Sequence, residues 1–210
     1  MTPLAAPLAA WLLLAQAFWQ TQPPTAWNDI ELAQFLADSP WAQMAAAAGK
    51  VGSAPVIQVY LATAEPIAKA VAERTRRVAL RRHIDPKSAA SQPLEEEFAA
   101  WFADNRAEHV IVAARVGNNN AFLSESETQR MQQECTMDLG HVQVKLSGYF
   151  PPTTSDPYLY LAFPREGAAA LTPTSGKTIT FNLYFPGVSA PFRTLQFKIK
   201  DMLVDGKLAL

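Results

Sequence analysis

The spacing of hydrophobic residues changes near residue 141, from the three-to-four period of a half-buried α-helix to the period of two of a half-covered β-strand. Four strands are predicted after this point, around residues 142–146, 158–163, 178–183 and 195–200. The pair Asp205 and Gly206 is typical of the two-residue turn of a β-hairpin. The order of elements predicts an α+β fold, in which residues 141–210 form an antiparallel, β-rich part.

The N-terminal half is predicted to contain helices and two buried strands. The strands are short, apolar and rich in β-branched residues, and they cover residues 55–61 and 108–116. Two long helices show apolar residues at helical spacing, and they cover residues 65–84 and 93–105. We assign all of these elements and the C-terminal sheet to one domain, residues 28–210.

Capping residues indicate two further helix starts. Asn28 or Asp29 can accept hydrogen bonds from the free amides at the start of a short helix. Ser124 and Glu127 have the spacing of a capping box, in which each side chain binds a backbone N–H of the other residue. A helix is therefore expected to begin after Ser124 and to end near Leu139.

The N-terminal segment has the pattern of an export signal. No charged side chain precedes Asp29, and residues 8–17 form an apolar run that ends in Ala15-Gln16-Ala17. A run of this length is too short for a membrane span of ~20 residues, and small residues at the first and third positions of its end fit a signal peptidase. No Lys or Arg precedes the run, so the alternative is an N-terminal helix packed on the domain surface.

We therefore predict a signal peptide at residues 1–17, cleaved before Phe18. Residues 18–27 are rich in Pro, Gln and Thr and are expected to be a linker. The mature protein is expected to lie outside the cytoplasm, in the periplasm or secreted, and to contain no transmembrane segment.

Composition and charge narrow the classes of partner. Of the 210 residues, 49% are hydrophobic and 18% charged, and the formal net charge is -1, so nothing favours a nucleic-acid partner. Basic residues are concentrated in residues 65–87 and acidic residues in residues 95–108. We expect two adjacent helices that neutralise each other, and the alternative is a basic face for phosphate, acidic polysaccharide or a membrane surface.

Residues with catalytic or metal-binding chemistry are few and scattered. His83, His109 and His141 are isolated and match no zinc or calcium motif, so neither a metal nor another cofactor is expected. Cys135 is the single cysteine, and its sequence neighbours include no cation that would lower its pKa. We expect it to be a buried structural residue.

Three tyrosines in the β-rich part are candidate binding residues. Tyr149, Tyr158 and Tyr160 lie on or near the polar side of predicted strands. Tyrosine offers apolar area with a polar tip, so a strand face that carries several of them can bind a glycan or a partner protein. The alternative is that the three rings cover the sheet beneath the helices or at a strand edge.

Several segments resemble a family of small exported proteins from environmental, Acidobacteria-like bacteria. The resemblance rests on residues 35–41, 160–165, 171–173, 179–181, 197–203 and 206–210. It implies export and a β-rich C-terminal part. It implies no catalytic residues, because the family has no assigned activity.

Two classes of function are compatible with these observations. The first is a non-enzymatic protein of the cell envelope that binds a partner protein or glycan through the sheet or the charged helices. The second is an extracytoplasmic hydrolase whose acid and base come from separate elements of the fold. A concave pocket with two carboxylates or a histidine would favour the hydrolase.

Overall fold

The structure is a computed structural model that describes residues 18–47, 54–83, 93–117, 120–165, 170–172 and 178–210. The predicted signal peptide, with Ala15 and Ala17, lies outside these residues. The helices of the described part are α1 (Phe18–Thr21), α2 (Asp29–Phe35), α3 (Glu65–Arg81), α4 (Pro93–Asn105) and α5 (Glu125–Glu134). Short 3-10 turns lie at Pro24–Ala26, Asn120–Leu123 and Ile199–Met202.

The strands of the described part form antiparallel sheets. They are β1 (Ala42–Ala45), β2 (Ile57–Leu61), β3 (His109–Arg115), β4 (Thr136–Asp138), β5 (Gln143–Lys145), β6 (Gly148–Phe150), β7 (Tyr158–Pro164), β8 (Thr178–Tyr184), β9 (Phe192–Lys198), β10 (Leu203–Val204) and β11 (Lys207–Leu208). The first sheet has the order β1-β2-β3-β7-β6 and the second β5-β4-β8-β9, while β10 and β11 form a hairpin. The predicted α+β class with a β-rich C-terminal part is confirmed.

The first sheet separates two layers of core. On one face Leu61, Val112 and Leu161 are cross-strand neighbours, and this face packs on the second sheet, where Phe163 meets Phe181 at 5.4 Å between ring centroids. The side chains on both sides of this contact are fully buried, as in a β-sandwich. The second sheet therefore covers one face of the first.

Helices α3 and α4 contact the other face of the first sheet. There Phe98 of α4 lies 4.3 Å from Tyr160 of β7, measured between ring centroids. Arg74 of α3 donates a hydrogen bond to the Tyr158 hydroxyl at 3.0 Å. Because helices cover one face and the second sheet covers the other, every residue of β7 from Tyr158 to Phe163 is buried.

The expectation of a linker at residues 18–27 is wrong. This segment forms α1 and a 3-10 turn, and its aromatic side chains join the core. Trp27 is buried and lies 5.2 Å from Phe18 and 4.9 Å from Phe35, between ring centroids. Prolines and glutamines suggested an open chain, whereas the large apolar area of the aromatic residues decides where the segment lies.

The capping signals had different outcomes. Asn28 accepts hydrogen bonds from the amides of Ile30 and Glu31, both at 2.9 Å, and Glu31 binds back to the Asn28 amide at 2.7 Å. The Ser124 capping box does not form, since the Ser124 hydroxyl pairs with another serine and Glu127 accepts a hydrogen bond from Tyr184 at 2.7 Å. A tertiary contact takes the carboxylate that the local motif requires.

The third predicted helix, expected to reach Leu139, ends at Glu134. Strand β4 follows at once, and its Met137 pairs with Phe181 in the core between the sheets. Strands β1 and β6 were not predicted either. All three are short strands whose positions depend on partners far away in the sequence.

The charged helices do not neutralise each other as expected. The Asp29 carboxylate of α2 binds Arg77 and Arg81 of α3 at 2.8 and 3.1 Å, and Glu73 binds Arg77 within α3 at 2.7 Å. Among the described residues, no ion pair joins α3 to α4. Four bases of α3 instead bind acids of the same helix or of α2: Lys69, Arg76, Arg77 and Arg81.

Candidate functional site

The three candidate tyrosines do not form one exposed face. Tyr158 and Tyr160 are 4% and 7% exposed and lie beneath the helices. Tyr149 is paired with Leu161, so it lies on the opposite face of the first sheet, toward the second sheet. The alternative interpretation, rings that cover the sheet, describes Tyr158 and Tyr160, because β7 has a layer on each side.

The buried tyrosine hydroxyls are hydrogen-bonded within the fold. Tyr158 accepts from Arg74 and donates to Gln58, both at 3.0 Å, and Tyr160 donates to Asp156 at 2.8 Å. Burial raises the pKa of Tyr160, so its phenol stays neutral. These residues stabilise the contact between sheet and helices and leave no open surface for a ligand.

A concave site lies at the N-terminal segment, and we call it the tryptophan pocket. Its volume is about 510 Å³, within the ~300–1,000 Å³ range of small-molecule sites. It is lined by Trp19, Gln20, Gln22, Pro23, Pro24, Trp27, Phe35, Trp41, Pro66, Lys69, Leu203, Val204 and Asp205. Aromatic and proline rings thus make the wall, and amide and charged side chains lie among them.

The aromatic wall is built by edge-to-face packing. Trp19 lies on Trp41 with ring centroids 5.4 Å apart and an interplanar angle of 79°. Phe35, from the buried side of α2, lies 6.0 Å from both indole rings. Such arrangements match the negative face of one ring with the positive edge of another, so they fix the rings in a definite geometry.

The segment that carries Trp27 is held by hydrogen bonds from two directions. The Trp27 indole N–H donates to the Gln22 carbonyl at 3.0 Å, which closes the chain back on itself. From α3, the Arg77 guanidinium donates to the carbonyls of Trp27 and Pro24, at 2.7 and 3.3 Å. The Asn28 cap then turns the chain into α2. Local polar contacts therefore position an apolar wall.

The opposite wall comes from the hairpin of β10 and β11. Its two turn residues, Asp205 and Gly206, have φ values of 50° and 76°, as a type I′ turn requires. The predicted turn is confirmed. It places Leu203, Val204 and the exposed Asp205 carboxylate at the pocket.

Trp41 lies at the bottom of the pocket and has a buried indole N–H without a hydrogen-bond partner among the described residues. It is 0% exposed, and its indole N–H is the one buried side-chain polar atom in the described part of the chain that lacks a hydrogen-bond partner. A buried donor without a partner costs about 1–3 kcal/mol. Such a cost is rare in native proteins unless a water molecule or a ligand supplies the acceptor.

A second cavity, which we call the outer groove, continues from the pocket. Its volume is about 690 Å³, and it shares Trp19, Gln20 and Leu203 with the pocket. Its other lining residues are mostly polar: Asp38, Ser39, Pro40, Gln43, Gln196, Lys198, Lys200 and Asp201. Trp19, which is half-buried, therefore stands between an aromatic pocket and a polar groove.

Charges in the two cavities are balanced. The outer groove has two aspartates and two lysines, and the pocket has Asp205 and Lys69. Lys69 binds Glu65 on the same helix at 2.7 Å. Neither cavity thus has an excess of one charge that would select an ion of the opposite sign.

Other reactive groups are remote from this site. Cys135 is buried, as expected, and its sulfur accepts a hydrogen bond from the Tyr184 amide at 3.2 Å. Burial raises the pKa of its thiol to about 12. In the ranges that the structure describes, no three side chains of His, Cys, Asp or Glu are grouped as metal ligands. No helix of those ranges has the length and hydropathy of a membrane span.

Comparisons with protein-family models, with curated proteins and with solved structures found no match for this chain. The site therefore has to be understood from its own residues. The sequence did contain a signal for it, since three of the five tryptophans, Trp19, Trp27 and Trp41, fall within 23 consecutive residues. Two of these tryptophans fall in residues 18–27, whose prolines and glutamines are typical of a linker, so the sequence did not predict a pocket there.

Proposed function

We propose that the protein is a non-enzymatic binding module of the cell envelope, and that it takes its ligand in the tryptophan pocket. Export is part of the proposal, and it rests on the apolar run and the Ala15-Gln16-Ala17 motif before Phe18. The proposed ligand is a component of the envelope, a glycan or a protein. The suspected relationship to small exported bacterial proteins supports the same location.

The observation that carries the binding proposal is the tryptophan pocket itself, a concave site of about 510 Å³ in which the half-buried Trp19 lies beside exposed polar side chains, Gln20, Gln22, Lys69 and Asp205. Trp41 is fully buried beneath these groups and supports Trp19 by edge-to-face packing. Few polar groups among apolar walls are also the usual composition of small-molecule sites.

The test is co-sedimentation of the exported protein with isolated cell-envelope material. We expect the wild-type protein to sediment with the envelope, and Trp19→Ala to remain in the supernatant because a pocket wall is removed. Trp101→Ala is the matched control, since Trp101 is also half-buried but lies on α4, where it contacts Phe150. Equal sedimentation of both variants, or no sedimentation of the wild type, would overturn the proposal.

Hydrolysis is the second candidate function, and a specific observation favours it. Two carboxylates, Asp38 and Asp201, line the outer groove, and glycoside hydrolysis uses a pair of carboxyl groups on opposite sides of a cleft. Both are exposed, however, whereas a general acid usually lies in apolar surroundings. The binding proposal expects no new reducing ends from envelope glycan, and their release by wild type but not by Asp201→Asn would favour the hydrolase.

A further inference from the structure

We propose that the ligand is a neutral oligosaccharide, with one sugar ring in the tryptophan pocket against Trp19 and the chain continuing into the outer groove. The inference rests on the proposed function and narrows it to one class of ligand. Its basis is the combination of one accessible indole ring, Trp19, with balanced charge and with carboxylates that can only accept hydrogen bonds.

The pocket combines apolar rings with polar side chains, so it fits a ligand that has both apolar and polar surface. The half-buried Trp19 and the ring of Pro23 offer apolar faces, while the exposed amides Gln20 and Gln22 offer both donors and acceptors. A pyranose ring has apolar C–H faces and a rim of hydroxyl groups that donate and accept. Its C–H face can therefore pack on the indole of Trp19 while its hydroxyl groups bind the amides of Gln20 and Gln22.

The arrangement of the two cavities indicates an extended ligand. The pocket and the outer groove share Trp19 and Leu203, so a chain that leaves the pocket passes over the indole into the groove. The groove then presents the exposed side chain of Gln196 from β9 and those of Lys198 and Lys200. A single ring would leave all of these side chains unused.

The carboxylates discriminate between a sugar chain and a proline-rich peptide, which also binds grooves lined with aromatic residues. Asp38, Asp201 and Asp205 lie along the two cavities, and ionised carboxylates accept hydrogen bonds but cannot donate them. A proline-rich segment offers few donors, because proline lacks the backbone N–H. Sugar hydroxyls supply them. The equal numbers of lysines and aspartates in the groove disfavour an anionic polymer.

Isothermal titration of the exported protein with defined probes tests the inference. The probes are neutral hexasaccharides of β-1,4-glucose, β-1,3-glucose, α-1,4-glucose and β-1,4-N-acetylglucosamine, with hexagalacturonate and decaproline for comparison. We expect saturable binding of at least one neutral hexasaccharide and no binding of the other two probes. Trp19→Ala should weaken binding about tenfold or more, since stacking on one aromatic ring contributes roughly that factor. Trp101→Ala should bind as the wild type does.

A second variant tests the same inference without changing a residue that packs on the aromatic core. Gln196 is exposed, so Gln196→Ala should fold normally. It should weaken the bound hexasaccharide several-fold and leave the matching disaccharide unchanged, because the shorter ligand ends in the pocket. Equal effects on both lengths would contradict the chain direction that we propose.

The possible failures can be told apart. Binding of decaproline or hexagalacturonate that depends on Trp19 would overturn the choice of ligand class and leave the pocket as a binding site. Absence of binding by every neutral hexasaccharide, together with Trp19-dependent envelope co-sedimentation, would have the same meaning. Absence of both would overturn this inference and the proposed function together.

Discussion

Arg193 lies on β9 with 1% of its surface exposed, and no carboxylate pairs with it among the described residues. Its guanidinium donates instead to backbone carbonyls of Pro55 and Ala45, at 2.9 and 3.3 Å, and also to those of Phe192 and Ala190. Burial lowers the pKa of this group. At the residue scale, one side chain with five donors thus joins β9 of the second sheet to the edge of the first.

Glu73 is the residue whose protonation should govern stability in acid. Its carboxylate is 4% exposed and receives two hydrogen bonds from Arg76, both at 2.8 Å, and one from Arg77 at 2.7 Å. The hydrogen bonds from Arg76 are the largest cause that lowers the pKa of this carboxyl, to about 2 from 4.5. Burial opposes this shift, and the hydrogen bond from Arg77 adds to it. The unfolded chain therefore takes up this proton at higher pH than the folded protein does.

We expect the stabilisation from Glu73 to be complete above about pH 4.5 and to be lost as the pH falls toward 2. Glu73→Gln should flatten the dependence of unfolding free energy on pH over this interval. The control is Glu65→Gln, whose exposed pair with Lys69 should contribute little. Urea unfolding at a series of pH values measures the effect. Parallel pH profiles for Glu73→Gln and the wild type would contradict the assignment.

At the element scale, the β10–β11 hairpin is the wall of the pocket with the strictest backbone requirement. Gly206 has a φ of 76°, and a Cβ added there would meet no heavy atom within 4 Å. The demand on residue 206 is thus conformational and not steric. The turn holds residue 206 in the left-handed region of backbone conformation. A residue with a side chain is strained in that region, and a β-branched residue is strained most.

Gly206→Val is therefore expected to destabilise the protein by about 1–2 kcal/mol. Gly148 on β6 is a matched control, because a Cβ there also meets nothing within 4 Å and its φ is not positive. Gly148→Val should have little effect or a slightly favourable one, since valine suits a strand. Thermal or urea unfolding of the two variants gives the comparison. Equal losses would mean that backbone strain at the turn is not the cause.

At the scale of the whole molecule, the sequence predicted what depends on local periodicity. Strands β7, β8 and β9 and helices α3 and α4 show regular apolar spacing, because each has a face that packs on one layer or is wholly buried. Strand β4 could not be predicted, since its three residues continue an amphipathic helix and become a strand only beside Phe181 and Lys145. Glu127 likewise accepts a hydrogen bond from Tyr184 instead of completing the predicted capping box.

The pocket itself lay beyond sequence reasoning for a physical reason. Its residues come from three stretches, 19–41, 66–69 and 203–205, and tertiary packing alone brings them together. The tyrosines appeared exposed because alternation marks which residues share a face without showing what covers that face. Tyr158 and Tyr160 are covered by helices, whereas Trp19 of the N-terminal segment is half-buried and lines an open cavity.

A 1H–15N NMR spectrum of the indole N–H groups of the exported protein tests cleavage before Phe18 and binding in the tryptophan pocket together. The chain has five tryptophans, and Trp11 lies in the predicted signal peptide, so we expect four indole signals. On addition of solubilised envelope glycan, the Trp19 and Trp41 signals should shift while Trp101 stays in place. Five signals would contradict cleavage before Phe18, and shifts confined to Trp101, or none at all, would contradict binding in the tryptophan pocket.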